Sequence, residues 1–183
     1  MLPADNRSNV VAFIPSAYSV KPAEAAWEIQ QAHALRRQVF CHEQQLFHAD
    51  DTDALDDQAT IIVAMGWSHG IADQVVGTVR IHYHGDGLWY GSRLAVAKGY
   101  RGVAPLGSEL IRVAVGTANA RGCQRFLAQV QRRNVPLFRS LHWHTREHIE
   151  LRGQPHRLME ADLDHYPPCD AHGRTVLLRE GAA

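Results

Sequence analysis

The chain has little cysteine, no net charge and no long apolar run, and each shortage excludes something. Its three cysteines, Cys41, Cys123 and Cys169, are odd in number and far apart, with no CxxC pair. Neither a disulfide framework nor a thiolate zinc site organises such a chain, and reduced thiols in a cytosol are expected. Nineteen basic residues balance nineteen acidic ones, so no global field draws nucleic acid or an anionic membrane to the surface. No stretch nears the roughly eighteen uninterrupted apolar residues of a membrane span. MLPADNRSNVVAFIPSAY has no basic region followed by an apolar core, so no secretory leader is read there. A cytoplasmic protein that engages neither membrane nor nucleic acid is the expectation.

What is present fits one domain across residues 1–183, with 45% hydrophobic residues, enough to bury a core without staples. Residues 1–9 and the stretch from about 168 onward are expected to be loose tails. Val10–Ile14 suits a first strand. Pro22 can open a helix that runs from Ala23 to about Val39, with Ala26, Ile29, Ala34 and Leu35 as its apolar stripe. The acidic run HADDTDALDDQ reads as a solvated loop able to attract a cationic acceptor, and it lacks the glycine and final glutamate of a calcium loop.

Strands are predicted at Thr60–Trp67, Val75–Tyr83 and Leu88–Val96, the last two joined by a Gly-Asp-Gly turn at 85–87. The period then changes to that of a helix over Leu106–Ala120, closed by Gly122. A strand at Phe126–Val130, a short helix at Val135–Leu141 and a hairpin of Ile149–Leu151 with Arg157–Leu163 complete the reading. Tight turns between the middle strands argue for a mixed, mostly antiparallel α/β sheet.

The segment LAVAKGYRGVAPLGSELI carries the clearest chemistry. Gly99, Gly102, Ala104 and Gly107 precede a helix, so backbone N–H groups and the positive helix end can approach an anion such as a pyrophosphate. Arg101 can add a charge-assisted contact. An ordinary glycine-rich loop with a surface arginine has the same spacing.

This run resembles the pyrophosphate loop of the GNAT acyltransferases, whose pattern is Arg or Gln, two residues, Gly, one residue, Gly or Ala. Anchored on Arg101, the small positions become Ala104 and Leu106; anchored on Gly107, the loop has one extra residue. Other blocks are similar in the same order: LRRQVFCHEQQLF at 35–47, QVQRRNVPLFRSLHW at 129–143 and GQPHRLMEADL at 153–163. The details WYGSRLAV, FLAQVQ, LHW and DLDHYPP resemble a bacterial subgroup, the nitrogen-starvation N-acetyltransferases. Autoinducer synthases share the Arg-x-x-Val-Phe element but lack such a loop.

The resemblance implies acetyl-CoA or another short acyl-CoA as co-substrate, a small-molecule amine as acceptor, no metal, and a homodimer as an assembly to test. It implies a cleft between Leu88–Val96 and Phe126–Val130, where backbone groups of Leu94, Ala95 and Val96 pair with the pantetheine arm. Cofactor contacts would come from Arg101, Gly102, Val103, Ala104, Leu106, Gly107 and Ser108, and from Asn134 and Phe138. Phe138 stands where many relatives carry a proton-donating tyrosine. That substitution motivates a second reading, a catalytically silent CoA- or metabolite-binding module.

Amine attack needs a group to take the amine proton. Glu43 is the first candidate base, with a structural pairing to Arg36 or Arg37 as the plain alternative. His82 and His84 share one strand face by period two, and histidine titrates near working pH; a solvated sheet face is the alternative. His142, which replaces the glycine of the resembling pattern, is a third candidate near the thiol, with a packing role as the alternative. Tyr90 and Arg93 are expected to shape the pocket. His142, His144 and His148 have no metal-ligand spacing.

Overall fold

Alternation begins the fold: in the strand AYSVKP, Tyr18, Val20 and Pro22 are buried while their neighbours are half-buried. A computed structural model describes residues 17–68, 71–102, 104–169 and 174–177, and the strand and loose tail expected before residue 15 lie outside these. The elements are β1 (Ala17–Pro22), α1 (Ala26–Arg37), β2 (Thr60–Ser68), β3 (Ile71–Gly85), β4 (Leu88–Val96), α2 (Leu106–Ala120), β5 (Arg125–Gln131), α3 (Val135–Ser140), β6 (Trp143–Leu151), β7 (Gln154–Ala161) and β8 (Arg174–Leu177). They form one eight-stranded sheet in the order β6-β7-β5-β4-β3-β2-β1-β8, antiparallel except between β4 and β5.

Both faces of the sheet are covered. Along β2, Ile62 and Ala64 pack with Leu106, Leu110 and Val113 of α2. The intervening Ile61, Val63 and Met65 pack with Ala32 of α1. This is why TIIVAMGW reads as a continuous apolar run rather than an alternating one. The turn at 85–87 is left-handed at all three residues (φ +114°, +49° and +71°), which two glycines make inexpensive.

Four expectations are corrected. Pro22 ends β1 and opens no helix; α1 begins at Ala26, where the buried Glu28 accepts hydrogen bonds from the N–H groups of Glu24 (2.8 Å) and Ala25 (3.2 Å). The buried face of α1 is Glu28, Ala32 and Arg36, whereas Ala26, Ile29 and Ala34 are exposed. Charged side chains with internal partners can occupy a core-facing stripe that an apolar count overlooks. The stretch beyond 168 is not wholly loose, because β8 pairs antiparallel with β1 from Ala17↔Leu177 to Val20↔Arg174. Finally, β6 starts at Trp143, six residues before the predicted arm; it is an edge strand whose exposed His144, Arg146, Glu147 and His148 hide its strand character.

Candidate active site

The parallel pair β4–β5 is short. Leu88–Gly91 pair with Arg125–Ala128, and beyond that point the strands have no common ladder. Gly91 permits the close approach before the split, since a Cβ there would meet the Phe126 ring at 2.9 Å. The divergence coincides with a bulge: the β3–β4 register slips between Thr78↔Ala95 and Arg80↔Ser92, and Arg93 is left-handed at φ +57°. The β5-facing edge of Ser92–Val96 is thereby left without a strand partner among the described residues.

A cavity of about 650 Å³ opens at the split. Its walls include His82 and His84 of β3, Tyr90 and Leu94 of β4, Val130 of β5, Asn134 and Phe138. After α1 the chain widens into a π-helical turn, Gln38–Glu43, in which the Gln44 N–H reaches back to the Val39 carbonyl at 3.0 Å. That turn packs Val39 and Phe40 on Ala95 and brings Leu46 and Phe47 to the cavity. A separate cavity of about 880 Å³, between α1, the end of α2 and the start of β2, is lined by none of these residues.

Most of the acidic stretch is solvent-exposed, as expected, but three of its five aspartates are held in a ring of arginines rather than by water alone. Asp51, Asp53 and Asp56 close a six-membered ring with Arg36, Arg80 and Arg93, in which every member pairs with two of opposite sign. In order, Arg36–Asp51 is 2.8 Å, Asp51–Arg93 2.9 Å, Arg93–Asp53 3.0 Å, Asp53–Arg80 2.6 Å, Arg80–Asp56 3.0 Å and Asp56–Arg36 2.6 Å. The ring's own charges cancel, which leaves Asp50, paired with Arg37 at the surface, and the exposed Asp57 as the remaining carboxylates of the stretch. Burial pulls the Asp56 carboxyl upward, but the hydrogen bonds from Arg36 and the Asp53 N–H hold it well below the usual carboxylate range. The ring ties the acidic stretch to β3 and to the β4 bulge, and Arg80, Arg93 and Asp53 also reach the cavity wall.

Within the cavity, Tyr90 stands between two imidazoles. Its ring stacks on His82 at 5.7 Å between centroids and meets His84 edge-on at 5.3 Å. Burial first, then the charge of Arg80 and the neighbouring His84, push His82 below its ordinary value. Its Nδ1 is buried without a partner among the described residues, so a ligand in the cavity would meet this ring through Nε2.

The other predicted residues separate. Glu43 lies outside the cavity lining and pairs not with Arg36 or Arg37 but with Arg101, at 2.8 Å. Arg101 also donates from Nε to the Val96 carbonyl at 2.8 Å, so that acceptor is already engaged. Ala95 is buried under Val39 and Phe40, whereas Leu94 faces the cavity. Gly102 is left-handed at φ +84°, and α2 starts at Leu106 behind Pro105 with no side-chain cap, leaving first-turn N–H groups to other acceptors. A Cβ at Gly107 would meet only Leu137, at 4.0 Å. Ala104 and Ser108 are half-buried, and Val103 lies outside the described residues.

Phe138 and Asn134 line the cavity, and Phe138 packs edge-on against Trp143 at 5.0 Å. His142 is exposed, outside that lining, and stacked on His165 at 3.6 Å. Its φ of +62° lies in the left-handed region, which glycine adopts at least cost. Among the described residues, no three His, Cys, Asp or Glu side chains converge as metal ligands, and no helix is long and apolar enough to cross a membrane.

Sequence reasoning missed two features. Tyr166 anchors the closing DLDHYPP segment: its hydroxyl donates to the Leu141 carbonyl and accepts from Trp143 Nε1 at 2.9 Å. Burial pushes its phenol up to about 12. Arg152, at the β6–β7 turn, lies over Phe47 at 4.2 Å on the cavity wall. The Arg-Gly pair at 152–153 signals a turn, but nothing in it announces a cavity.

The acetyltransferase (GNAT) family matches this chain over residues 24–143. No curated protein matches it. Among solved structures, a putative N-acetyltransferase from Lactobacillus plantarum superposes with a TM-score of 0.70 at 20% identity, covering 79% of this chain and 97% of that one. An acyl-CoA N-acyltransferase from Pseudomonas aeruginosa gives 0.62 at 19% identity, covering 79% and 98%. A CoA-dependent acyl-homoserine lactone synthase gives 0.62 at 15% identity, covering 89% and 84%. At these identities the likeness is one of fold.

Proposed function

This chain belongs to the acetyltransferase (GNAT) family, and from that premise we propose that it transfers an acetyl or other short acyl group from CoA to the primary amine of a small molecule. The observation that carries the reading is the early end of the β4–β5 pairing at Gly91↔Ala128, directly over a cavity of about 650 Å³. An unpaired strand edge there can accept an extended pantetheine arm as an added strand. The small residues Gly102, Ala104 and Gly107 allow a pyrophosphate to approach the start of α2. In this reading Glu43 orients Arg101 at that loop rather than acting as a base.

The amine nitrogen forms its bond to the thioester carbon, the carbonyl oxygen takes up the charge, and the carbon–sulfur bond then breaks. Backbone N–H groups around Leu94–Val96 are assigned to the oxygen. His84 takes the amine proton, beside His82, whose Nε2 can orient a polar group. Phe138 has no proton to give, so the thiolate leaves unassisted, which is tolerable for a thiol of pKa about 8.5. His142, stacked on His165 outside the cavity, has no step. The blocks WYGSRLAV and DLDHYPP support a narrower placement, among cytoplasmic bacterial nitrogen-starvation N-acetyltransferases.

The test is acetyl-CoA itself. Saturation near 100 times Kd should stabilise the fold by about 2.7 kcal/mol, a rise in Tm of several degrees. Adding amines should then release free thiol. No shift in Tm with acetyl-, propionyl- or butyryl-CoA, in folded protein, refutes the reading; a shift with no thiol release from any amine favours a silent binding module.

A further inference from the structure

Three guanidiniums reach the wall of the β4–β5 cavity, and they differ in their commitments. Arg80 and Arg93 belong to the ion-pair ring, where Asp51, Asp53 and Asp56 cancel their charge. Arg152 has no carboxylate within pairing distance among the described residues. Its guanidinium lies over the Phe47 ring at 4.2 Å, and Arg93 lies over the same ring at 4.6 Å. Arg152 makes no hydrogen bond to a protein acceptor among the described residues, so the contact with the ring leaves its N–H donors open to a ligand. Those donors form the fork that fits a carboxylate with two parallel hydrogen bonds.

The backbone points the same way. Arg152 is left-handed at φ +51°, the first residue of a two-residue hairpin turn completed by Gly153 at φ +70°. Asn, Asp or Gly are the residues that suit this conformation, and a long side chain is held there at a conformational cost. At that cost the turn holds a long cationic side chain over the cavity. Among the described residues, the only acidic side chain on the cavity wall, Asp53, is already shared between Arg80 and Arg93. Among the described residues Arg152 is therefore the uncompensated charge of the site, and a purely cationic acceptor would meet it unfavourably.

We propose that the acceptor is a primary amine that also carries a carboxylate, and that Arg152, supported on Phe47, binds that carboxylate. The assignment rests on the N-acyltransferase reading above and narrows its substrate class. Arg152 is a specificity-determining residue; it takes no part in proton transfer.

The experiment compares amino acids of two to six carbons with alkylamines of the same length, using acetyl-CoA as donor. Carboxylated amines should be preferred in kcat/KM by roughly 10- to 100-fold, the worth of one charge-assisted bidentate contact. Arg152→Gly suits the positive φ and should fold. It should raise the KM for the amino acids by that factor and abolish the preference, with kcat and the KM for acetyl-CoA little changed. Arg152→Lys should recover part of the preference, and Arg152→Glu should shift it towards diamines. Equal or better turnover of the plain alkylamines by the wild type overturns the proposal, as does a preference that survives Arg152→Gly. If no amine is acetylated, calorimetric titration of the same amino acids into wild type and Arg152→Gly decides the point separately. Binding lost in the variant upholds the carboxylate site while the transfer reading fails, and equal binding, or none, overturns the site.

Discussion

Replacing Asp51 by asparagine removes one charge from the ion-pair ring with almost no change of shape. Asp51 and Arg36 each keep 1% of their side-chain surface exposed, and Asp51 accepts from Arg36 Nε at 2.8 Å and from Arg93 Nε at 2.9 Å. Without the carboxylate, three guanidiniums face two carboxylates in a largely dry setting. Breaking a buried pair from one side costs about 3–5 kcal/mol. The far arc of the ring is wetter, with Asp53 39% and Arg93 17% exposed, so the lower end applies, about 3 kcal/mol. For a chain of this size that is a fall in Tm of about 6–12 °C.

Urea unfolding followed by far-UV circular dichroism measures the change, with Asp50→Asn as control. The Asp50–Arg37 pair is 3.3 Å long with both side chains nearly half exposed, and its loss should cost under about 1 kcal/mol. The ring also predicts acid sensitivity. Hydrogen bonds from Arg80 hold the Asp53 carboxyl below its ordinary value against the upward pull of burial, as those from Arg36 do for Asp56. Both carboxyls are ionised in the fold at pH values where the unfolded chain binds protons. Their contribution is complete above about pH 4 and is lost as pH falls through the lowered folded values. Asp56→Asn should flatten that acid slope. The reasoning is refuted if Asp51→Asn costs no more than Asp50→Asn.

Gly107→Glu should fold, because a Cβ there meets only Leu137 at 4.0 Å, yet abolish the acetyl-CoA thermal shift by placing a carboxylate at the start of α2. Normal CoA binding by that variant would mean the loop is misassigned. His84→Gln should lower kcat by about 10²–10⁴-fold with the KM for acetyl-CoA nearly constant, whereas Glu43→Gln should change kcat only a few-fold; the reverse pattern in steady-state kinetics would restore Glu43 as the base. Tyr166→Phe should destabilise by about 1–3 kcal/mol in urea unfolding, since it strips partners from buried Trp143 Nε1 and the Leu141 carbonyl.

The sequence by itself determined the elements whose pattern is local. The helix Leu106–Ala120 and the strand Leu88–Val96 fall where their periods predict, because one apolar face at 3.6 and one at 2.0 residues is written in neighbouring positions. The left-handed Gly-Asp-Gly turn is equally local. Period two also put His82 and His84 on one face, and both line the cavity. What depends on partners far along the chain could not be read this way. Arg36 meets Asp51 and Asp56, and Arg80 meets Asp53, across 15 to 27 residues, so three aspartates of a solvent-facing acidic stretch join a neutral, partly buried ring. Glu43 and Arg101, 58 residues apart, face each other only because the π-helical turn and the α2 loop converge beside β4. The β4 bulge, the split from β5 and the arrival of Arg152 over Phe47 follow from how eight strands pair. The chain dictates which side chains are available; only the tertiary fold decides which charges cancel and which one is left facing the cavity.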